Sequence, residues 1–159
     1  MLLAFIHDTM HSILIIGCGS IGERHLRCFQ KTGRCTVVAC DTSQALLATM
    51  RERYAVPTFS SLDEAMAAGS YDAAVICTPA NLHLPMAMKL LRANLDLFIE
   101  KPLAIDAVLV PETRQVIQQT GKHVAVAYVY HSMPWVAGAR EYVRSGALGK
   151  ILHASVDSG

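Results

Sequence analysis

The chain has 159 residues, 52% of them hydrophobic, enough for one domain with a sizeable core. Lysine plus arginine (14) balances aspartate plus glutamate (13) with no basic stripe, which argues against a nucleic-acid partner. No apolar run reaches the roughly 18 residues a membrane span needs, and the five cysteines, none in C-x-x-C spacing, read as small core hydrophobes in a reducing cytoplasm.

Met1-Leu-Leu-Ala-Phe-Ile6 is too short for a signal peptide and lacks a basic leader. Met10 offers an alternative start just ahead of the first strand. Ile13 to Ile16 is an apolar, β-branched run, the pattern of a strand buried on both faces. Gly17, Gly19 and Gly22 follow in G-x-G-x-x-G spacing. Gly17 lets the chain leave the strand in a tight turn, Gly19 lets a pyrophosphate approach the backbone, and Gly22 lets the next helix sit close to the strand. That helix begins near Ser20 and turns its free N–H groups toward the phosphates. A second apolar run, Thr36 to Cys40, ends in Asp41, which lies 19 positions after Gly22. This is the place of a carboxylate that binds the adenine ribose. An acid there repels a 2′-phosphate and favours NAD over NADP. The alternative for Asp41 is a turn or N-cap residue before the next helix.

Ser43 to Tyr54 reads as a helix with apolar positions at Ala45, Leu46, Met50 and Tyr54, stopped by Pro57. Thr58-Phe59 is a very short strand. Ser61-x-x-Glu64 has capping-box spacing and opens a short helix through Ala68, ended by Gly69. Asp72 to Cys77 is a buried strand that stops at Thr78-Pro79. Asn81 is a good N-cap for a helix from Leu82 to Ala93. Leu95 to Ile99 is a strand ending at Glu100-Lys101-Pro102. Asp106 caps a helix from about Ala107 to Gln119, closed by Gly121. His123 to Ala127 is a strand, Trp135 to Ser145 an amphipathic helix stopped at Gly146, and Ile151 to Val156 a last strand-like run. Strands alternating with helices predict an α/β fold, a doubly wound parallel sheet with right-handed crossovers. Ligands of such sheets lie at the carboxyl ends of the strands. That brings Gly17 to Gly22, Asp41, Thr78 to His83 and Glu100-Lys101 to one crevice.

Lys101 is the sharpest chemical candidate. Partly desolvated beside a nicotinamide ring, it would donate or accept a proton at a substrate hydroxyl or carbonyl. The alternative is a surface lysine paired with Glu100. Glu100 would face a sugar hydroxyl or hold Lys101 in place. Thr78-Pro-Ala-Asn81-x-His83 lines the nicotinamide side or simply opens a capped helix. His25 reads as a packed or capping histidine of the first helix. His131 reads as a solvated loop residue or a substrate contact. No zinc-ligand spacing and no G-x-S-x-G motif occurs, so no metal is expected.

Gly17-Cys-Gly-Ser-Ile-Gly22 with His25, Thr78-Pro-Ala-Asn-Leu-His83 and Glu100-Lys-Pro-Leu103 resemble the Gfo/Idh/MocA oxidoreductases. Ser145-Gly-Ala-Leu-Gly-Lys-Ile151 is similar to that family's linker helix and following strand. The resemblance runs from about Ser12 to Gly159, and Glu-Lys-Pro is its most specific part. It implies an NAD- or NADP-dependent dehydrogenase acting on a sugar, cyclitol or related polyhydroxy compound. It implies that Gly17, Gly19, Ser20, Ile21 and Gly22 hold the pyrophosphate and Asp41 the adenine ribose. Thr78, Pro79, Asn81 and His83 would lie along the nicotinamide half, Glu100 at its ribose, and Lys101 would be the catalytic lysine.

The chain departs from the family at Tyr128-Val-Tyr130, where members often carry an asparagine, and in its shorter length. The expected organisation is a Rossmann domain over 1–128, then a linker helix and the first strand of a second α/β domain over 129–159. Such a chain binds NAD and turns over little alone; it exposes an apolar surface, with Trp135, Val136 and Ile151 as candidates, that predicts association or a rearranged tail, and a homo-oligomer is expected. A non-catalytic NAD-binding regulator is the alternative. A methyltransferase also places an acid after its second strand, but has no use for Glu100-Lys-Pro102.

Overall fold

The computed structural model describes residues 10–156, so the Met1–Ile6 stretch lies outside the described residues. Its contacts divide into two units, one ending at Ala127 and one beginning at Tyr128. The first unit is built on strands β1 (His11–Ile16), β2 (Cys35–Cys40), β3 (Thr58–Phe59), β4 (Ala73–Ile76), β5 (Asp96–Ile99) and β6 (Val124–Val126). They form one sheet in the order β3-β2-β1-β4-β5-β6, and every pairing is parallel. Between them run helices α1 (Ser20–Lys31), α2 (Gln44–Tyr54), α3 (Leu62–Ala68), α4 (His83–Arg92) and α5 (Val110–Thr120).

The unbroken apolar run of β1 follows from its place at the centre. Successive side chains of a strand point to opposite faces, and both faces here are covered. Ile13 and Ile15 pack with Leu26 of α1 and with Leu47 and Met50 of α2. Leu14 and Ile16 pack with Ala65 of α3, with Ala87 and Leu91 of α4, and with Val116 of α5. Ile13 pairs with Val37 on one side and with Ala73 on the other. The strand order therefore reverses between β1 and β4, and a crevice opens at the carboxyl ends there.

Several local expectations change. The face of α2 that is buried carries Leu47 and Met50, each 1% exposed, while Ala45 is exposed. Leu46, Met50 and Tyr54 face the core as the spacing predicts, and Leu47 takes the place expected of Ala45. Ser61 caps α3 by accepting from the Glu64 N–H at 3.2 Å. The Glu64 carboxylate reaches mainly past Ser61 to its neighbour. It takes the hydroxyl and N–H of Ser60, at 2.7 and 3.1 Å. These bonds, the hydroxyl's first, hold its carboxyl below the ordinary glutamate value.

Asn81 is exposed and caps nothing. Pro79 opens a 3₁₀ turn, Ala80–Leu82, closed by the Leu82 N–H on the Pro79 carbonyl, and α4 starts only at His83. Asp106 accepts from the Val108 N–H at 2.9 Å, a local Asx turn. The α5 helix starts at Val110 instead, with Pro111 in its first turn, where a missing N–H costs nothing.

The second unit holds a 3₁₀ turn, Val129–Ser132, and helix α6 (Pro134–Arg144), with Tyr130 edge-on to Trp135 at 6.1 Å. Residues 151–156 form no strand and are exposed. A strand needs a neighbour to take its backbone N–H and C=O groups, and this segment pairs with none among the described residues. Among the described residues no helix is long and apolar enough to cross a membrane.

Candidate nucleotide site

The loop between β1 and α1 is fixed by its own backbone. Gly17 has φ +89° and donates its N–H to the Cys40 carbonyl at 2.8 Å. A Cβ on Gly22 would stand 1.8 Å from the Gly17 carbonyl oxygen, so helix and loop meet without room for a methyl group. A Cβ on Gly19 would meet no protein atom within 4 Å, and Gly19 lines an open cleft of about 360 Å³. No side chain caps α1, whose N-cap is Gly19. The first-turn N–H groups of Ser20, Ile21 and Gly22 have no partner within the helix and are available to an anion.

Asp41, at the end of β2, joins this loop to the next helix. One carboxylate oxygen accepts the Cys18 N–H at 2.6 Å and the other the Ser43 N–H at 2.7 Å. Ser43 in turn caps α2 through its hydroxyl. The two readings of Asp41, ribose acid and turn residue, are thus compatible. Each oxygen keeps one acceptor site for a ligand hydroxyl. The cleft gathers Gly17, Gly19, Asp41, Thr78 and Pro79, together with Leu46, Ser60, Ser61, Leu62 and Met86. Ser60, Ser61 and Leu62 reach it because β3 ends at Phe59, whereas Leu46 comes from α2 and Met86 from α4. The rule that placed the other strand ends at the crevice also reaches Ser60 and Ser61, although the sequence reading left them out.

Glu100 follows β5. One of its oxygens meets His25 Nε2 at 2.8 Å and the other accepts the Lys101 backbone N–H at 3.1 Å. Lys101 itself is exposed, contrary to the partly desolvated setting expected, and among the described residues it forms no ion pair with Glu100. Asn81 lies in a separate groove with Ile105 and Asp106.

His83 is 1% exposed. Its Nε2 lies 2.7 Å from the Thr78 carbonyl oxygen and its Nδ1 2.9 Å from that of Pro102. A neutral imidazole donates one of these bonds and an imidazolium both. Both ring nitrogens thus face backbone carbonyl oxygens. His83 braces the Thr78–Pro79 turn against the Glu100-Lys101-Pro102 segment and does not line the cleft. Among the described residues no group of three or more His, Cys, Asp or Glu side chains is placed to hold a metal.

Cys18, Cys40 and Cys77 sit around the loop. Burial first, and the Asp41 carboxylate second, pushes the Cys18 thiol up to about 12 and that of Cys40 to about 11. Burial and then Glu100 push Cys77 up to about 12. A raised pKa leaves almost no thiolate, the reactive form, at pH 8. An aromatic disulfide reagent at pH 8 is expected to modify the exposed Cys28 first and to leave these three untouched until denaturant is added. Rapid labelling of three or more thiols in the folded chain contradicts this.

The parallel sheet, the glycine turn and the acid after β2 define a dinucleotide-binding α/β domain. The sequence model of the Gfo/Idh/MocA oxidoreductase family, NAD-binding Rossmann fold, matches residues 11–130, and the chain belongs to that family. It is 26% identical over 145 residues to an inositol 2-dehydrogenase of Rhizobium meliloti, covering 91% of this chain and 44% of that protein. An inositol 2-dehydrogenase of Corynebacterium glutamicum is 28% identical over 142 residues, covering 87% and 42%. Among solved structures, myo-inositol 2-dehydrogenase from Lactobacillus plantarum superposes with a TM-score of 0.82 at 26% identity, covering 90% of this chain and 43% of that one. The WlbA dehydrogenase of Chromobacterium violaceum, in complex with NADH and UDP-GlcNAcA, shares the fold at a TM-score of 0.83 and 23% identity, covering 92% and 43%. The chain thus spans less than half the length of these relatives.

Proposed function

We propose that this chain supplies the nucleotide-binding part of an oxidoreductase that moves a hydride between nicotinamide and a hydroxyl or carbonyl carbon of a sugar, cyclitol or similar polyol. The observation that carries the cofactor part is the Asp41 carboxylate, held 2.6 Å from the backbone of the glycine loop at the edge of an open cleft. The open space beside Gly19 fits a pyrophosphate, because none of the described residues fills it. Bound NAD supplies the hydride acceptor.

Gly17, Gly19, Ser20, Ile21 and Gly22 hold the pyrophosphate by backbone N–H groups, and Asp41 accepts from the adenine ribose. Thr78 and Pro79 border the nicotinamide half, with His83 as their brace, and Asn81, in its separate groove, is left out of it. Glu100 accepts from the second ribose. Lys101, exposed and beside Glu100, exchanges a proton with the substrate oxygen.

The names of the relatives support a polyol substrate. The reaction is proposed for a protein of their length, with residues 1–128 as the cofactor domain and 129–159 as the start of the substrate domain. This chain alone binds NAD without turnover. The exposed Trp135 and Ile151 support self-association.

The test is a fluorescence titration of the chain with NADH and, separately, NADPH. NADH is expected to saturate, and NADPH to bind at least about tenfold more weakly, about 1.4 kcal/mol for one repelled phosphate. Equal binding of the two, or binding of neither, overturns the reading.

A further inference from the structure

We infer that His25 is a positioning residue for the nicotinamide half of the site, acting through Glu100. This rests on the cofactor reading above, in which Glu100 meets the second ribose. The pair spans 75 positions, from the second turn of α1 to the end of β5. The side chains of His25 and Glu100 are only 20% and 16% exposed, which shields their 2.8 Å contact from solvent. Phe98 stands edge-on to the imidazole at 5.4 Å between centroids and fixes the ring plane. With His25 on one oxygen and the Lys101 N–H on the other, both ends of the Glu100 carboxylate are set before any ligand arrives. Each oxygen retains an acceptor site.

A glutamate already held in one rotamer loses less freedom when a ribose hydroxyl binds. The contact also ties the pyrophosphate helix to the strand that ends in Glu100. A helix tie and a ligand brace predict different losses. If His25 only steadies α1, its removal weakens every ligand that uses the N-terminus of α1. If it aims Glu100, only ligands carrying the second ribose suffer.

The experiment is calorimetric titration of the chain and its His25→Leu and His25→Gln variants with ADP, ADP-ribose and NADH. Leucine keeps the packing on Phe98 and removes the ring nitrogen. Glutamine places an N–H close to the position of Nε2. His25→Leu is expected to bind NADH and ADP-ribose about tenfold more weakly, the size of one lost charge-assisted bond, with ADP unchanged. His25→Gln is expected to stay within about threefold of wild type for all three, about 0.6 kcal/mol. If His25→Leu does not fold, His25→Asn, polar but too short to reach Glu100, is expected to show the same split. An equal loss for ADP and NADH, or no loss for NADH, overturns the assignment of His25 while leaving the cofactor reading standing. Failure of the wild-type chain to bind any of the three overturns both.

Discussion

Gly22→Ala lowers the melting temperature by roughly 10 °C and abolishes measurable NADH binding. The added methyl carbon falls 1.8 Å from the Gly17 carbonyl oxygen and 2.9 Å from its carbon, and backbone atoms cannot swing aside as a side chain would. Either α1 moves off the sheet, breaking the packing of Leu26 against Ile15, or the turn at Gly17 reopens. Overpacking of this kind costs about 3 kcal/mol. In a domain of this size that corresponds to roughly 10 °C. Gly19→Ala is the contrasting variant. Its methyl meets no protein atom within 4 Å, so the melting temperature stays within about 2 °C of wild type, as for most uncrowded surface changes. NADH affinity falls all the same, because the methyl projects into the cleft. Thermal melts and NADH titrations of the two variants check the pair. A Gly22→Ala chain that melts with the wild type refutes the close approach of helix and loop.

Asp41→Ala weakens NADH about a hundredfold and erases the preference over NADPH. Two effects combine. The Cys18 and Ser43 N–H groups lose their acceptor, at 2.6 and 2.7 Å, so the loop and the start of α2 lose a shared anchor. Charge-assisted bonds of this kind contribute about 1.5–3 kcal/mol each. The adenine ribose loses its acceptor as well, and the charge that repels a 2′-phosphate is gone. A hundredfold is about 2.7 kcal/mol, within reach of one such bond. Dissociation constants for NADH and NADPH, measured beside the melting temperature, separate the loop effect from the charge effect. An NADH-to-NADPH ratio unchanged from wild type removes Asp41 from the ribose site.

The sheet was legible in the sequence because buried parallel strands write themselves as continuous apolar runs. Ile13 to Ile16 and Asp72 to Cys77 needed no partner to be recognised. Helix starts were less legible. Asn81 and Asp106 are good capping residues in isolation, yet Pro79 and Pro111 decide where α4 and α5 begin. Ile151 to Val156 has strand composition, but a strand exists only where another takes its hydrogen bonds, and composition does not carry that information. In the site, Asp41 announced itself by its distance from Gly22. The partner of Glu100 did not. No local signal links residues 25 and 100, and an imidazole on a helix looks the same whether it packs, caps or aims a carboxylate. His83 carried the opposite error. Its nearness to Thr78 suggested a wall of the cleft, whereas burial turned it into a brace.

The two edges of the sheet are its shortest strands. β3 has two residues and β6 three, while the central β1 and its neighbour β2 have six each. An edge strand is a template on which a foreign strand can lay down hydrogen bonds, and a long one invites runaway stacking. Here Ile13 to Ile16, the apolar segment with most appetite for cross-strand growth, is walled in by β2 on one side and β4 on the other. β3 covers β2 only at Ala39 and Cys40, so among the described residues Cys35 to Val38 carry the longest run of strand backbone left at a margin. The hazard of a foreign strand adding on therefore lies along that stretch of β2, and in the interval before β3 and β6 close the sheet.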